Sequence, residues 1–258
     1  MLSGILGLIR RRAGMRAIYR WLLVLLLTSV IASCSITVPY MQVDQGLAAA
    51  ADAMPVQGRE GWLINQQLAF GSFTTGPVKR GWTKGYNIPF IVRFSGAKEK
   101  LGFSLRNGSG DQAELFCLGK LREIDLPVVN RAFEVNLKST DVFTCAISLA
   151  DQSFEFYSEN LNQNPRFDAP AGQLKGSGAE FSIRPVTSLE NGQSSWSTTA
   201  LGYEFWQGNR AIAAVETLND GRVWINPALT GQQQLLAAGV AAALLLRNSL
   251  AEHNDDLL

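Results

Sequence analysis

The fold is decided by residues 201–225, which have the sequence LGYEFWQGNRAIAAVETLNDGRVWI. This stretch contains three runs rich in apolar, β-branched and aromatic residues, at 201–206, 211–217 and 222–225. Gln207-Gly208-Asn209 separates the first two runs, and Asn219-Asp220-Gly221 separates the second and third. Asp-Gly between two apolar runs is a strong signal for a β-hairpin. The stretch therefore predicts a meander of three antiparallel strands.

The chain from about residue 59 to this meander shows the same alternation of short β-prone runs and turn residues. Eight more candidate strands lie at 68–75, 88–94, 101–106, 114–118, 133–137, 142–149, 154–157 and 180–185. Many short strands at this spacing are typical of a β-sandwich or β-barrel. With 47% apolar residues among 258, the chain is able to bury a substantial core. We predict one mainly β, antiparallel domain over residues 59–258.

After the meander the residue pattern changes to that of a helix. Asn226 and Pro227 are types favoured at the N-cap and the first position of a helix. Residues 235–246 are all apolar and as a helix would be about 18 Å long, which is short of the roughly 30 Å hydrocarbon core of a bilayer. We therefore predict a helix over about 227–251 that packs on the β domain. The alternative is a second membrane anchor.

The first 33 residues have the pattern of a secretory signal peptide. Five arginines and no acidic residue precede the end of an apolar run at 21–31, which is too short for a comfortable membrane span. Two small residues, Ala32 and Ser33, come next and are followed by Cys34. Met15 is an alternative start to Met1, because it leaves a more ordinary basic region before the apolar run.

The segment Ile31-Ala32-Ser33-Cys34 closely resembles the lipobox of bacterial lipoproteins. The resemblance covers this segment alone. It implies cleavage before Cys34, a diacylglycerol thioether on the Cys34 sulfur and acylation of the new amine. Incorporation of labelled palmitate would detect these acyl chains. Several acyl chains anchor a protein stably, whereas one chain binds only reversibly. The alternative is an ordinary signal peptide with a chance cysteine.

The lipobox resemblance also carries expectations about location. In such lipoproteins an Asp after the cysteine usually means retention at the inner membrane, so Ser35 implies the outer membrane of a Gram-negative cell envelope, with the domain in the periplasm. Residues 34–58 contain Pro39, Pro55 and two glycines and are expected to form a flexible tether. Removal of residues 1–33 leaves 18 Lys+Arg against 22 Asp+Glu, a net charge of −4, which disfavours broad attraction to anionic lipid.

Cys117 and Cys145 are the other two cysteines of the chain. Two thiols in an exported protein most often form a disulfide. Closing a loop of this length contributes about 3–4 kcal/mol in the chain-entropy model. The alternative is a pair of buried, unpaired thiols. A catalytic redox pair is disfavoured because the chain has no Cys-x-x-Cys motif.

The sequence gives little support for catalysis. Its single histidine is His253, so a Ser-His-Asp hydrolase, a Cys-His protease or a multi-histidine metal centre would each depend on that residue. No Gly-x-Ser-x-Gly elbow and no phosphate-binding loop are present. We predict no catalytic residue, metal or cofactor. A glycan hydrolase that uses carboxylates such as Glu114, Asp125 and Glu134 stays open, because such acids come from anywhere in a chain.

Residues 77–86, with the sequence PVKRGWTKGY, are the most unusual surface candidate. The basic and aromatic side chains of this loop are Lys79, Arg80, Trp82, Lys84 and Tyr86. Cations beside exposed rings suit a glycan, an anionic lipid headgroup or a protein partner. The group is too small for nucleic acid, which we do not expect as a partner. The alternative is a hairpin loop with Trp82 folded onto the sheet and its charges solvated.

These features favour a non-enzymatic envelope lipoprotein that acts as a binding or assembly module. A second hypothesis is a carrier of an apolar ligand, because a β-barrel followed by a helix is also the lipocalin plan; this is an architectural analogy only. A carrier needs a cavity lined by some of five phenylalanines, namely Phe90, Phe94, Phe103, Phe154 and Phe156. Otherwise these rings fill a closed core.

Overall fold

The meander is present as three antiparallel strands, β13 (Gly202–Gln207), β14 (Arg210–Glu216) and β15 (Arg222–Ile225). Its second turn requires a glycine at Gly221, where φ is +87° and a Cβ atom would lie 2.7 Å from Cδ2 of Leu245. The structure is a computed structural model. It describes residues 39–59, 66–81, 93–95, 99–119, 123–125, 142–159, 171–193 and 200–255, with side-chain surroundings given for all but 93–95, 123–125 and 248–255.

Twelve other strands and two helices precede or follow the meander within the described residues. The helices are α1 (Gln45–Ala50) and α2 (Gly231–Asp255). The strands are β1 (Met54–Pro55), β2 (Ala69–Phe70), β3 (Phe73–Thr75), β4 (Lys79–Arg80), β5 (Arg93–Ser95), β6 (Glu99–Arg106), β7 (Gln112–Gly119), β8 (Glu123–Asp125), β9 (Val142–Leu149), β10 (Gln152–Glu159), β11 (Gly172–Gly176) and β12 (Ala179–Val186).

One antiparallel sheet contains all of these strands except β5 and β8, which pair with each other. The strand order is β1-β15-β14-β13-β12-β11-β10-β9-β7-β6-β3-β2, and β4 pairs with β6 beside β3. Gln57 and Ala69 exchange two backbone hydrogen bonds of 2.9 and 3.1 Å, which join the β1 end of the sheet to the β2 end. The sheet is therefore nearly closed into a barrel, and the predicted mainly β fold with one C-terminal helix is confirmed.

Helix α2 runs through the interior of this barrel. Residues 235–247 of α2 are all buried, and the helix contacts β3, β6, β7, β14 and β15, which lie on different sides of the sheet. Twelve strands about 4.8 Å apart and tilted by about 40° enclose a radius of about 12 Å. That space is too wide for strand side chains alone, but it accepts a helix about 10–12 Å across. A helix that is apolar on every side suits such a site.

Inward-facing side chains of the strands pack around α2 in one core. They alternate with outward residues along each strand, as the pleat requires. Among the largest are Leu101, Phe103, Leu105, Leu115, Phe154, Phe156, Tyr203 and Phe205. Gly239 on α2 leaves room for one of these side chains, since a Cβ atom on Gly239 would lie only 3.0 Å from Cδ2 of Leu115.

Gly239→Leu is expected to lower the free energy of unfolding by about 1–3 kcal/mol, because it adds a side chain to a filled interior. Gly231→Leu is the matched control. It makes the same change at an exposed position of α2, where no atom lies within 4 Å of the added Cβ. Urea denaturation of both variants measures the difference. Equal stability of the two would contradict the packing of α2 inside the barrel.

The helix begins later than the residue types predict. Asn226 caps a turn instead of a helix, because its Oδ1 accepts a hydrogen bond of 2.9 Å from the backbone N–H of Ala228. The helix starts at Gly231, where Thr230 and Gln233 exchange side-chain to backbone hydrogen bonds as a capping box. Asparagine competes for local backbone groups in turns as well as at N-caps.

Residues 39–51 form an N-terminal segment that packs on the outside of β13–β15. Met41 and Leu47 are fully buried there against Ala211, Ala214 and Trp224. Asp44 caps α1 by accepting a hydrogen bond of 3.1 Å from Leu47 N–H, and β1 then joins the barrel. The predicted flexible tether therefore does not hold for residues 39–58. Residues 34–38 lie outside the described residues.

Some of the other strand predictions are confirmed, and others differ from the structure or lie outside the described residues. β9 and β15 have the predicted bounds, whereas the predicted strand at 68–75 is a hairpin of β2 and β3 around Gly71. β11 was not predicted, because its residues Gly-Gln-Leu-Lys-Gly have little β-propensity. The predicted strands at 133–137 and most of 88–94 lie outside the described residues.

Candidate functional site

The structure describes only residues 77–81 of the basic loop. It shows Arg80 half-buried, whereas the sequence predicted a surface cation. Lys79 is exposed, but Arg80 turns toward α2. Its Nη2 donates to Gln66 Oε1 at 2.7 Å and to the backbone oxygen of Leu246, a residue of α2, at 3.5 Å. Burial lowers the pKa of Arg80, and Glu99 opposes that shift. Arg80 therefore fixes strand β4 to the helix and is not a free surface cation. Trp82, Lys84 and Tyr86 lie outside the described residues.

Cys117 and Cys145 face each other on neighbouring strands β7 and β9. They are register partners, both are buried, and their Sγ atoms lie 2.04 Å apart, which is the length of a disulfide bond. Their side chains belong to the core that surrounds α2. The pair thus occupies an interior position with no exposed sulfur.

The remaining predicted groups do not form a common site in the described residues. Glu114 is exposed on the outside of β7, Asp125 lies in β8, and Glu134 lies outside the described residues. His253 is in the last turns of α2. Phe103, Phe154 and Phe156 are buried in the core, and Phe90 and Cys34 are outside the described residues. Phe94 lies in β5.

A cluster that the sequence did not predict lies where the N-terminal segment meets β14 and β15. We call Tyr40, Met41, Glu190, Glu216 and Arg222 the Tyr40 cluster. Glu216 accepts hydrogen bonds of 2.6 Å from Met41 N–H and 2.6 Å from Arg222 Nε, with only 2% of its side chain exposed. Arg222 also lies 3.4 Å from Glu190. The buried carboxylate thus ties the N-terminal segment to the barrel wall.

Aromatic rings complete the surroundings of Arg222. Its guanidinium carbon lies 3.7 Å from the centre of the Tyr40 ring and 4.9 Å from that of Trp224. Tyr40 is 43% exposed, more than any other large hydrophobic side chain whose surroundings the structure describes. A hairpin around Asp220-Gly221 places Glu216 opposite Arg222, so the turn signal could have revealed this half of the cluster. The contact with Met41, 175 residues away, leaves no local signal.

A cleft of about 400 Å³ lies beside this cluster, between the N-terminal segment and the end of β12. Glu204 lies in the cleft and accepts a hydrogen bond of 2.6 Å from Asp44 N–H and one of 3.1 Å from Trp206 Nε1. Burial raises the pKa of Glu204, although both hydrogen bonds act in the opposite direction. Glu204 therefore acts mainly as an acceptor that positions the N-terminal segment.

A second cleft of about 400 Å³ lies at the start of α2, between the β9–β10 turn and Gln232. Ala150 in this turn has a φ of +49°, which is uncommon for a residue with a Cβ atom. Two acidic and two apolar side chains line the cleft, so its surface is mixed in character; they are Asp111, Asp151, Leu149 and Leu235. Among the described residues that line it, the polar ones are exposed or half-buried, so none of them defines a ligand.

Within the described ranges, no helix combines the length and apolar character needed to cross a membrane. Comparisons of the chain with protein-family models, with curated proteins and with solved structures find no match. The class of protein is thus defined by its own geometry: an antiparallel β-barrel with a helix through its interior.

Proposed function

We propose that this protein is a lipid-anchored lipoprotein of the bacterial cell envelope whose β-barrel is a binding or assembly module. The observation that carries the proposal is the segment Ile31-Ala32-Ser33-Cys34, directly after a short apolar run. Acyl chains on Cys34 would hold the protein to the outer membrane, and the barrel would lie in the periplasm. Protein, glycan and lipid are the partner classes that the proposal allows, and no catalytic step is part of it.

The filled interior favours a module that works through its outer surface. A carrier of an apolar ligand needs empty space inside the barrel, and α2 occupies the position where such a ligand would lie. Phe103, Phe154 and Phe156, which were candidates to line a cavity, pack in the same core as α2. We therefore place the binding function on the wall and the loops of the barrel.

Metabolic labelling with palmitate tests the anchor. The wild-type chain is expected to take up label and to fractionate with membranes, whereas Cys34→Ala is expected to lose both properties. Ser35→Ala is the matched control, because it changes the neighbouring residue and keeps the thiol. Label on Cys34→Ala, or no label on the wild-type chain, would refute the lipoprotein proposal.

Native mass spectrometry of the purified protein distinguishes a binding module from a carrier of an apolar ligand. One non-covalently bound lipid per chain would favour the carrier.

A further inference from the structure

The docked N-terminal segment restricts how far the barrel can lie from an anchor at Cys34. Met41 is fully buried and hydrogen-bonded to Glu216, so the chain is fixed to the wall from this residue onward. Six residue steps separate Cys34 from Tyr40, and they span at most about 22 Å when fully extended. Tyr40 therefore stays within this distance of the acylated residue.

The same distance excludes one side of the barrel from the membrane. β7 lies opposite β14 in the order of the twelve strands. A chain that runs from Tyr40 round the outside of a barrel with a radius of about 12 Å needs about 38 Å to reach the opposite wall. That path is longer than the available reach of about 22 Å. The outer face of β7 cannot lie flat on the bilayer that holds Cys34.

The chemistry of the near wall suits a membrane interface. Tyr40 has an exposed ring with a polar tip, the type of side chain that is enriched where hydrocarbon meets water. Arg222 holds this ring in place at 3.7 Å, and Glu216 in turn fixes Arg222. The two acidic groups Glu216 and Glu190 offset the charge of Arg222, so the Tyr40 cluster has no excess of positive charge to select anionic lipid.

We propose that the barrel wall formed by the N-terminal segment and β13–β15 faces the membrane, with Tyr40 in contact with the zwitterionic phospholipid headgroup layer. This inference rests on the proposed acylation of Cys34. The anchor supplies the affinity, and Tyr40 sets the orientation. The opposite wall, with β7 at its centre, then faces the periplasm and is the side presented to partners.

Site-specific photo-crosslinking in cells tests this orientation in the full chain. The photoreactive amino acid p-benzoylphenylalanine replaces Tyr40 in one variant and Gln42, an exposed residue of the same segment, in a second. Glu114, exposed on β7, is the matched control on the opposite wall. After irradiation of cells, we expect phospholipid adducts by mass spectrometry at positions 40 and 42, in several-fold higher yield than at 114.

Three outcomes would overturn the inference. Equal lipid adducts at positions 40 and 114 would show that the barrel has no fixed orientation. Adducts of position 40 with protein only, on a chain that still fractionates with membranes, would assign this wall to a protein partner and leave the lipoprotein proposal intact. A chain found only in the soluble fraction, without palmitate, would remove both the lipoprotein proposal and the orientation that rests on it. Position 42 keeps the test valid if the variant at position 40 does not fold.

Discussion

Glu216→Ala is expected to lower the free energy of unfolding by about 2–4 kcal/mol, because it removes the acceptor of the buried Met41 N–H and leaves Arg222 only its longer contact with Glu190. The Glu216 carboxylate has two hydrogen bonds of 2.6 Å, from Arg222 Nε and from Met41 N–H, and 2% of its side chain is exposed. Its removal leaves a guanidinium on the barrel wall and a backbone N–H under the N-terminal segment. Urea denaturation of the purified protein measures the loss.

Glu190→Ala is the matched control for this prediction. Glu190 contacts the same Arg222 at 3.4 Å, but 55% of its side chain is exposed. Exposed ion pairs contribute only about 0–1 kcal/mol, so this variant is expected to stay close to wild type. Limited proteolysis adds a local measure, since Glu216→Ala is expected to make the N-terminal segment easier to cleave. Equal losses for the two variants would show that the buried carboxylate does not hold this segment.

Replacing both Cys117 and Cys145 with serine is expected to lower the free energy of unfolding by about 3–4 kcal/mol, from loss of a cross-link between residues 28 apart. The measurement uses a Cys34→Ser background, which leaves only these two thiols. Thiol titration of the unfolded, unreduced protein is expected to find none free.

Reductant supplies the control for the cysteine pair. It is expected to destabilise the protein that keeps Cys117 and Cys145 and to leave the double serine variant unchanged. Two titratable thiols in the unreduced protein would favour the alternative of buried, unpaired cysteines. In that case the loss on double substitution would reflect packing in the core, where both side chains are buried.

Local signals predicted most of the longer strands, whereas β11, the closure of the sheet and the position of the helix depend on distant contacts. The Asp220-Gly221 turn and the alternation around it define β14 and β15, since both effects act within a few residues. Closure of the sheet depends on Gln57 and Ala69, and neither residue has a special type. The number of strands sets the width of the barrel, and that width explains why the apolar helix lies inside the barrel rather than against its outer wall.

The candidate site also depends on contacts between residues far apart in the sequence, which local residue patterns do not predict. Proline and glycine in residues 34–58 predicted a tether, but burial of Met41 and Leu47 against β14 and β15 overrides that composition. Lys79 and Arg80 look alike in the sequence, yet only Arg80 reaches Gln66 and Leu246. A single charged residue cannot be assigned to surface or interior until the element beside it is known.

The position of α2 in the chain has a consequence for the order in which the domain is completed. All strands of the barrel precede residue 231, so the filling of the interior is the last part of the domain to be synthesised. The sheet also needs β1, the first strand, to pair with β15, the last, before the bridge of Gln57 and Ala69 can join its two ends. Contacts of such long sequence separation form slowly. The chain therefore remains without its finished core until α2 has been made, so the barrel is completed only after its last strand and this helix are both present.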